Sequence, residues 1–144
     1  ARSDVKAFTA LGAEVTLVAP QTLLPPSLEG WPVRVSHDLD AVLGDIDVCY
    51  LLRMQRERMT EALVPSLREY HTFYGLDLAR AKRLRKGALI MHPGPMNRGV
   101  EITAEVAGLD SAVITEQVSN GVAVRMAVLF LLLGSGVDVI GGNS

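Results

Sequence analysis

Residues 48–52, Val-Cys-Tyr-Leu-Leu, form the stretch that decides the fold. This run is almost wholly apolar and lies between two charged residues, Asp47 and Arg53. A strand whose two alternating faces are both apolar is buried on both sides, as in the parallel sheets of α/β proteins. Residues 88–91 form a second run of the same kind. Both runs therefore predict buried parallel strands.

Segments of helical and of strand periodicity alternate around these two runs. The predicted helices cover residues 3–11, 38–43, 60–68, 76–86, 101–107 and 120–133, and the predicted strands cover residues 15–18, 33–35, 48–52, 88–91 and 112–115. Residues 21–32 and 92–99 are predicted loops, and an aromatic loop is expected at residues 70–75. Alternation of this kind predicts an α/β fold, a three-layer and mostly parallel sheet with helices on both faces, in a single domain covering residues 1–144.

Composition limits the classes of function. The chain has 144 residues, of which 49% are hydrophobic, and a net charge of −2. A nucleic-acid-binding protein normally has a strong basic excess, so the expected ligands are small molecules, with no nucleic acid. Cys49, the one cysteine, is expected to be a buried core thiol. No secretory signal is recognisable, and residues 118–133 contain Arg125 and fall short of the roughly 20 residues of a membrane span, which predicts a cytoplasmic protein without a membrane segment.

Polar residues follow both buried strands, and ligands of parallel sheets lie beyond the carboxyl ends of strands. After the first strand comes Arg53-Met54-Gln55-Arg56-Glu57-Arg58, with three guanidinium groups. An arginine held at a strand end can bind a carboxylate or phosphate through two parallel hydrogen bonds, and Gln55 adds a donor and an acceptor. A solvated helix start balanced by Glu57 remains an alternative for this segment.

After the second strand comes His92-Pro93-Gly94-Pro95. Two prolines around a glycine fix the backbone and leave carbonyl oxygens that can accept hydrogen bonds from a ligand's amino group. A rigid connector between strand and helix is the alternative. His92 is expected to be a hydrogen-bonded structural residue, because the three histidines lie far apart in the sequence without a ligand spacing for zinc.

Two further segments have alternative interpretations. The basic residues at the end of the predicted helix 76–86 are expected to form a solvated face that complements the helix dipole; they are Arg80, Lys82, Arg83, Arg85 and Lys86. Residues 122–133 are apolar almost all round. Such a helix must be covered on all sides, so it is either a central core helix or it docks on a domain outside this sequence. No phosphate-binding loop motif is present in the sequence.

Taken together, the two strand-end motifs resemble those of the aspartate carbamoyltransferases. "DVCYLLRMQRERM" (residues 47–59) and "MHPGPMNRGVEI" (residues 91–102) resemble motifs of the family's aspartate-binding domain. "ARSDVKAFTALGAEVTLVAPQTLLP" and "SNGVAVRMAVLFLLL" are similar to that domain's first stretch and closing helix. The His-Cys-Leu-Pro and Ser-Met-Gly motifs of ornithine carbamoyltransferases do not occur in this sequence, so the resemblance favours aspartate as the acceptor.

The resemblance implies roles for individual residues. Arg53 matches the arginine that binds a carboxylate of aspartate, and Gln55 matches the glutamine beside its amino group. Pro93, Gly94 and Pro95 match the loop that contacts carbamoyl phosphate, with a cis Gly94–Pro95 bond. Many relatives have leucine in place of Gly94, which a backbone contact tolerates. Arg98 and Glu101 also match family positions.

The resemblance also implies how the reaction is divided between domains. No side chain of this domain is expected to act as a catalyst, and neither a metal nor a cofactor is implied. The Ser-Thr-Arg-Thr phosphate motif does not occur in the sequence, so the chain is expected to be a fragment without the carbamoyl phosphate domain. The expected assembly is a cytoplasmic homotrimer, with possible further subunits. The alternative functions are a catalytically silent assembly or binding module of carbamoyltransferase type and a generic nucleotide-binding domain.

Overall fold

The computed structural model describes residues 2–54, 64 and 66–134. Helical and extended elements alternate as far as β2 in the amino-terminal part, but β3 follows β2 without the helix that the periodicity predicts between them. The elements there are helix α1 (Arg2–Ala10), strand β1 (Val15–Val18), a short 3-10 helix (Gln21–Leu23), strand β2 (Val33–Ser36) and strand β3 (Val48–Tyr50). The remaining elements are helix α2 (Leu67–Tyr74), helix α3 (Leu78–Ala81), strand β4 (Leu89–Met91), helix α4 (Ala104–Ala107) and helix α5 (Ile114–Gly134).

All strand pairs in the described residues are parallel. β1 pairs with β2, with Val15 opposite Val33, and β3 pairs with β4, with Tyr50 opposite Met91. On its other side β4 accepts a short extended segment, because Ile90 N–H donates to the Ser111 carbonyl at 2.8 Å. The α/β fold with parallel strands is thus confirmed. The described strands pair as two separate two-stranded sheets, however, instead of the single sheet that was predicted.

The core lies around β3 and β4. Its fully buried members come from loops as well as from regular elements: Leu43, Leu76, Ile90, Ile102 and Val106. Cys49 on β3 is buried among them, and burial raises the pKa of its thiol to about 11. A thiol with so high a pKa is inert at neutral pH, and the prediction of a structural core cysteine is confirmed.

Two predicted helices differ from the structure. Residues 38–43 form no helix and only residues 40–43 form turns, although Asp38 Oδ1 accepts a hydrogen bond from Ala41 N–H at 3.2 Å in the manner of a helix cap. The segment is too short to propagate a helix beyond this nucleus. The aromatic segment 70–75 is no loop, because most of it lies in α2. Ser66 caps that helix by accepting from Glu69 N–H, and the rings of Tyr70 and Tyr74 stack at 5.4 Å.

Two further helices are shorter than predicted because of backbone pairing around residues 76 and 101. Leu76 N–H donates to the Glu101 carbonyl at 3.0 Å, and Thr103 N–H donates to the Leu76 carbonyl at 3.1 Å. This pairing keeps both segments extended, so α3 and α4 begin only afterwards. Asp77 and Thr103 cap them by accepting hydrogen bonds from backbone amides.

The interpretation of the basic segment as a fully solvated face is wrong for Arg80. Its side chain is only 13% exposed and pairs with Asp40 through Nη2 and Oδ2 at 2.8 Å. Arg80 Nη1 also donates to the Gly75 carbonyl at 2.8 Å. Hydrogen bonding to Arg80 lowers the pKa of Asp40 below its usual value. Arg80 therefore joins α3 to the turn after β2, whereas the other basic residues of the segment are exposed.

Helix α5 begins before the predicted start at residue 120 and has 21 residues. Its apolar side chains face outward: Phe130 is 76% exposed and Leu132 is 71% exposed, and Ile114 is its one buried residue. The interpretation as a central core helix is therefore wrong for the described structure. By length and composition α5 could also cross a membrane, with a mean hydropathy of 1.5, contrary to the expectation from the shorter predicted segment.

Candidate functional site

The two polar loops predicted from the sequence leave the sheet side by side. Tyr50, the last residue of β3, lies opposite Met91, the last residue of β4. Leu51 N–H extends this pairing by donating to the Met91 carbonyl at 2.8 Å. Since the strands are parallel, Arg53 and the loop that begins at His92 emerge at the same edge. The structure thus brings Arg53 and Met54, the described start of the first motif, next to the loop that forms the second.

Asn97 links the two loops directly. Its side-chain Nδ2 donates to the backbone carbonyl of Met54 at 2.9 Å, and the Met54 side chain is buried. Arg53 itself is half-buried. Gln55 lies outside the described residues, as do Arg56, Arg58 and much of the predicted helix 60–68. The arginine segment is therefore described only as far as Met54.

The Pro-Gly-Pro turn has the backbone that its sequence predicts. Gly94 has a φ of +66°, in the left-handed region that favours glycine, and the Gly94–Pro95 bond is cis, as expected. Pro93 and Pro95 are exposed. A Cβ built on Gly94 would lie 3.8 Å from Val118 Cγ2, so there is room beside it. The turn therefore presents its backbone at the surface between two rigid rings.

His92 is fully buried beneath this turn. Its Nδ1 accepts a hydrogen bond from Gly94 N–H at 2.9 Å, and its Nε2 lies 3.1 Å from Glu101 Oε1. A backbone N–H can only donate, so Nδ1 carries no proton and Nε2–H donates to the carboxylate. The imidazole is therefore held as the neutral Nε2–H tautomer. The prediction that His92 is a hydrogen-bonded structural residue is confirmed.

Glu101 is the buried acceptor of the site, with 1% of its surface exposed. Its Oε1 accepts from His92 Nε2 and also from Asn97 N–H at 2.6 Å. Burial raises the pKa of Glu101, but the hydrogen bonds from His92 and Asn97 outweigh it, and the net pKa lies below the usual value. Glu101 is therefore a carboxylate at neutral pH.

Gln117 connects the first turns of α5 to both strand ends. Its Oε1 accepts from His92 N–H at 2.9 Å, and its Nε2 donates to Tyr50 Oη at 3.2 Å. Sequence reasoning missed this residue because the predicted helix began later. The available signal was its spacing from an apolar residue, since Gln117 lies three residues after Ile114 and so on the same face of a helix that contains both.

An open groove of about 640 Å³ adjoins the strand ends. Its walls include Met91 and Gln117, and α1 and α5 contribute Phe8 and Val124. A larger groove of about 750 Å³ lies at the amino ends of β1 and β2 and contains none of the predicted site residues. Neither groove has Arg53 or residues 93–95 in its walls, but the smaller one adjoins the carboxyl end of β4 through Met91.

The remaining polar candidates have structural contacts. His37 Nδ1 lies 2.8 Å from the Ala19 carbonyl, and His71 Nδ1 lies 2.9 Å from the Val100 carbonyl. Arg98 is exposed at the end of the loop that follows β4. Across residues 2–54, 64 and 66–134, no group of three or more metal-ligating side chains comes together.

Comparisons with known proteins agree on one family. The family model described as "Aspartate/ornithine carbamoyltransferase, Asp/Orn binding domain" matches residues 1–132. The aspartate carbamoyltransferase catalytic subunit of Acidothermus cellulolyticus is 58% identical over 144 residues, which is 100% of this chain and 45% of that subunit. The corresponding Thermobifida fusca subunit is 58% identical over 137 residues, covering 95% of this chain and 44% of that subunit.

Solved structures give the same result. Aspartate transcarbamoylase from Trypanosoma cruzi in complex with N-(phosphonacetyl)-L-aspartic acid is 30% identical, with a TM-score of 0.69, over 81% of this chain and 39% of that one. Ornithine carbamoyltransferase from Thermus thermophilus shares the fold at 20% identity, with a TM-score of 0.76, over 91% of this chain and 43% of that one.

The chain thus spans a little under half the length of the curated relatives that it matches. The matched family residues include both strand-end loops, Gln117 and nearly all of α5. The chain belongs to the aspartate/ornithine carbamoyltransferase family and corresponds to its aspartate/ornithine-binding domain.

Proposed function

We propose that this chain is the acceptor-binding half of an aspartate carbamoyltransferase of pyrimidine biosynthesis. In this reaction the carbamoyl group of carbamoyl phosphate passes to the amine of L-aspartate. One observation carries the proposal: the arginine loop and the Pro-Gly-Pro loop leave adjacent parallel strands and are joined by the hydrogen bond from Asn97 to Met54. A site for two substrates needs two such recognition elements side by side.

Aspartate is the acceptor that the relatives favour. The curated relatives at 58% identity are named as aspartate carbamoyltransferase catalytic subunits. Solved structures of the Trypanosoma cruzi enzyme include complexes with aspartate and with carbamoyl phosphate. The sequence also lacks both ornithine-enzyme motifs.

The proposed roles are those of positioning and binding. Arg53 binds a carboxylate of aspartate through two parallel hydrogen bonds, and Gln55 lies beside the amine. The carbonyls of Pro93 and Gly94 accept from the carbamoyl NH2, and Pro95 fixes the turn. Orientation of two reactants in this way is worth on the order of 7 to 11 kcal/mol of the barrier, so this half needs no catalytic side chain.

The chemistry is then direct carbamoyl transfer. The neutral amine of aspartate attacks the carbamoyl carbon and forms a C–N bond, which gives a tetrahedral oxyanion. Collapse of this intermediate breaks the C–O bond to phosphate, and the amine proton leaves with the phosphate. Groups that stabilise the oxyanion and the phosphate belong to the carbamoyl phosphate domain in this proposal. Closure of the two domains excludes water from the reactants.

Helix α5 supports the presence of a partner domain. Its exposed apolar residues exceed what a soluble monomer normally leaves uncovered, and the family model extends through residue 132 of the helix. We propose that the carbamoyl phosphate domain covers this helix. A membrane is the less favourable cover, because Arg125 lies near the middle of α5, where a charge costs about 2.5 to 3.5 kcal/mol in a bilayer.

Binding of a hydrophobic dye such as ANS tests whether a partner domain covers α5. The isolated chain should bind the dye or self-associate, and joining it to a carbamoyl phosphate domain should remove most of the dye binding. A monomeric chain that binds no dye would contradict the docking role of α5. The assembled enzyme is proposed to be a cytoplasmic homotrimer, to be checked by its mass in solution.

The activity is tested in a chimeric subunit, in which this chain replaces the matching part of the Acidothermus cellulolyticus subunit. The chimeric subunit should form carbamoyl aspartate from carbamoyl phosphate and aspartate, and it should not carbamoylate ornithine. The isolated chain should form no product above a control without protein. A folded chimeric subunit with no activity on either amine would support the silent-module alternative and contradict this proposal.

A further inference from the structure

Resting on the proposed function, we infer that His92 is a positioning residue for the carbamoyl phosphate loop and that Glu101 fixes it in that role. Neither side chain touches substrate in this proposal, because both are buried beneath the turn. They act through the backbone of residues 93–95, whose carbonyls receive the carbamoyl NH2. The inference concerns how that backbone is held.

The first contact is local. Gly94 N–H donates to Nδ1 of the residue two positions earlier, so the imidazole closes the turn from below. An asparagine side chain makes the same hydrogen bond in an Asx turn. Without the imidazole acceptor, Gly94 N–H would lose its hydrogen-bond partner on the buried side of the turn. The position of the Gly94 backbone therefore depends on the unprotonated Nδ1.

The second contact fixes the imidazole. Glu101 Oε1 accepts both His92 Nε2–H and Asn97 N–H, so one carboxylate oxygen holds both ends of the loop 92–97. Gln117 Oε1 accepts the backbone N–H of His92 and fixes the same end from α5. A histidine that donates its other N–H to a carboxylate has a defined tautomer and ring orientation, which is what an acceptor for Gly94 requires.

Asn97 extends this arrangement to the second substrate. While its backbone N–H donates to Glu101, its side chain donates to the Met54 carbonyl, one residue after Arg53. The same carboxylate therefore sets the relative position of the loop for carbamoyl phosphate and the segment for aspartate. Glu101 therefore affects the binding of both substrates, whereas the turn contact of His92 affects only carbamoyl phosphate.

Two histidine substitutions separate these contacts in the chimeric subunit. His92→Asn keeps an acceptor at the position of Nδ1 but cannot reach Glu101. His92→Gln keeps a donor near the position of Nε2 but cannot close the turn. We expect His92→Gln to raise the KM for carbamoyl phosphate about fivefold, the effect of one lost hydrogen bond, while His92→Asn, which keeps the turn contact but loses the contact with Glu101, raises it less.

Val106→Ala is the matched control, because Val106 is fully buried in the core and belongs to neither loop. It should lower the melting temperature without changing the ratio of the two KM values. Equal KM values for carbamoyl phosphate in the Asn and Gln variants would overturn the inference, and so would the same rise in the Val106→Ala subunit. If the parent chimeric subunit is inactive, the proposed function fails separately from this inference.

A measurement without activity tests the same point on the 144-residue chain. Nitrogen-15 NMR of the imidazole distinguishes a protonated from an unprotonated ring nitrogen. We expect an unprotonated Nδ1 and a protonated Nε2 at neutral pH, and slow hydrogen exchange of the Gly94 amide that becomes at least tenfold faster in His92→Gln but not in His92→Asn. A proton on Nδ1, or an unchanged Gly94 exchange rate in His92→Gln, would overturn the inference.

Discussion

The segment from β4 to Ile102 and helix α5 are opposite kinds of structure within one chain. In the first, His92 and Glu101 are buried polar groups that take their hydrogen-bond partners from the same chain. In the second, a helix of 21 residues exposes apolar side chains such as Phe130 and Leu132. Both ring nitrogens of His92 and Oε1 of Glu101 thus have partners within the chain, although Glu101 Oε2 is buried without a hydrogen-bond partner among the described residues. The helix, by contrast, needs a surface that the described residues do not supply.

The two regions depend on different interactions: a binding loop on hydrogen bonds within the chain, and an apolar helix on contact with a partner. Buried hydrogen bonds fix the shape of a binding loop before any partner arrives, because each lost partner leaves a costly buried polar group. An uncovered apolar helix contributes little to the stability of its own domain and much to association. Changes in the two regions should therefore appear in different measurements.

The largest expected contrast is in the free energy of unfolding. Ile102→Ala removes a fully buried side chain and should cost about 2 to 5 kcal/mol. Leu131→Ala removes an isomeric side chain that is 68% exposed and should change stability by less than about 0.5 kcal/mol in the isolated chain. Urea denaturation of both variants measures the difference. Similar losses would mean that α5 is packed in solution.

Arg53→Lys in the chimeric subunit should give the next largest effect. A lysine keeps the charge but cannot make two parallel hydrogen bonds to a carboxylate, so kcat/KM for aspartate should fall about tenfold to more than a hundredfold, equivalent to about 1.5 to 3 kcal/mol. The KM for carbamoyl phosphate should barely change. Steady-state kinetics with each substrate varied separately measures both.

The matched control for Arg53→Lys is Arg34→Lys. Arg34, which lies on β2, forms an exposed ion pair with Glu14 and is far from the strand-end loops in the sequence. Its replacement should leave both KM values unchanged. An Arg53→Lys subunit that folds normally and uses aspartate as well as the parent would favour the solvated helix start over the carboxylate-binding role.

Gly94→Ala should have a smaller effect, and on carbamoyl phosphate instead of aspartate. The added Cβ has room, but a φ of +66° costs a non-glycine residue about 1 kcal/mol, so we expect about a fivefold rise in the KM for carbamoyl phosphate. The KM for aspartate should stay within about twofold. Gly12→Ala is the control, because Gly12 also has a positive φ and open space but lies after α1. Equal kinetic effects of both substitutions would contradict a specific role for the turn.

The smallest expected effect is a pH dependence of stability. Because the folded pKa of Glu101 lies below the ordinary value of 4.5, its charged form stabilises the fold above that pH, and this contribution is lost as the pH falls through the folded pKa. Glu101→Gln should therefore flatten the acid limb of the unfolding free energy below about pH 4.5. Thermal melts from pH 7 to pH 3 compare the variant with the parent. Parallel curves would mean that the pKa of Glu101 is the same in the folded and unfolded chain.

Much of this structure is predictable from local sequence patterns. The apolar runs at residues 48–52 and 88–91 predict β3 and β4, and the rule for strand ends predicts where the polar loops meet. The Pro-Gly-Pro turn is predictable because its residues restrict their own backbone. These features depend on a few neighbouring residues, so no knowledge of tertiary contacts is needed.

The features that sequence reasoning missed depend on distant partners. Leu76 pairs its backbone with residues 101–103, which shortens two helices that their periodicity extends. Gln117 and Asn97 are ordinary polar residues until β3 and β4 bring Tyr50 and Met54 beside them. Arg80 carries the charge of a surface helix, but its side chain is only 13% exposed and pairs with Asp40. No local pattern distinguishes such residues from solvated ones.

Displacements at the two ends of helix α5 differ in size when the helix turns about a point near its first residue. If Ile114, its buried residue, serves as the pivot, Gln117 lies about 4.5 Å along the axis and Phe130 about 24 Å, at 1.5 Å per residue. A sideways displacement of Phe130 by about 1 Å, at its contact with a partner, then displaces Gln117 by only about 0.2 Å. Gln117 contacts the ends of both β3 and β4, so the proposed substrate-binding loops are less sensitive than the outer end of α5 to how precisely that end meets a partner.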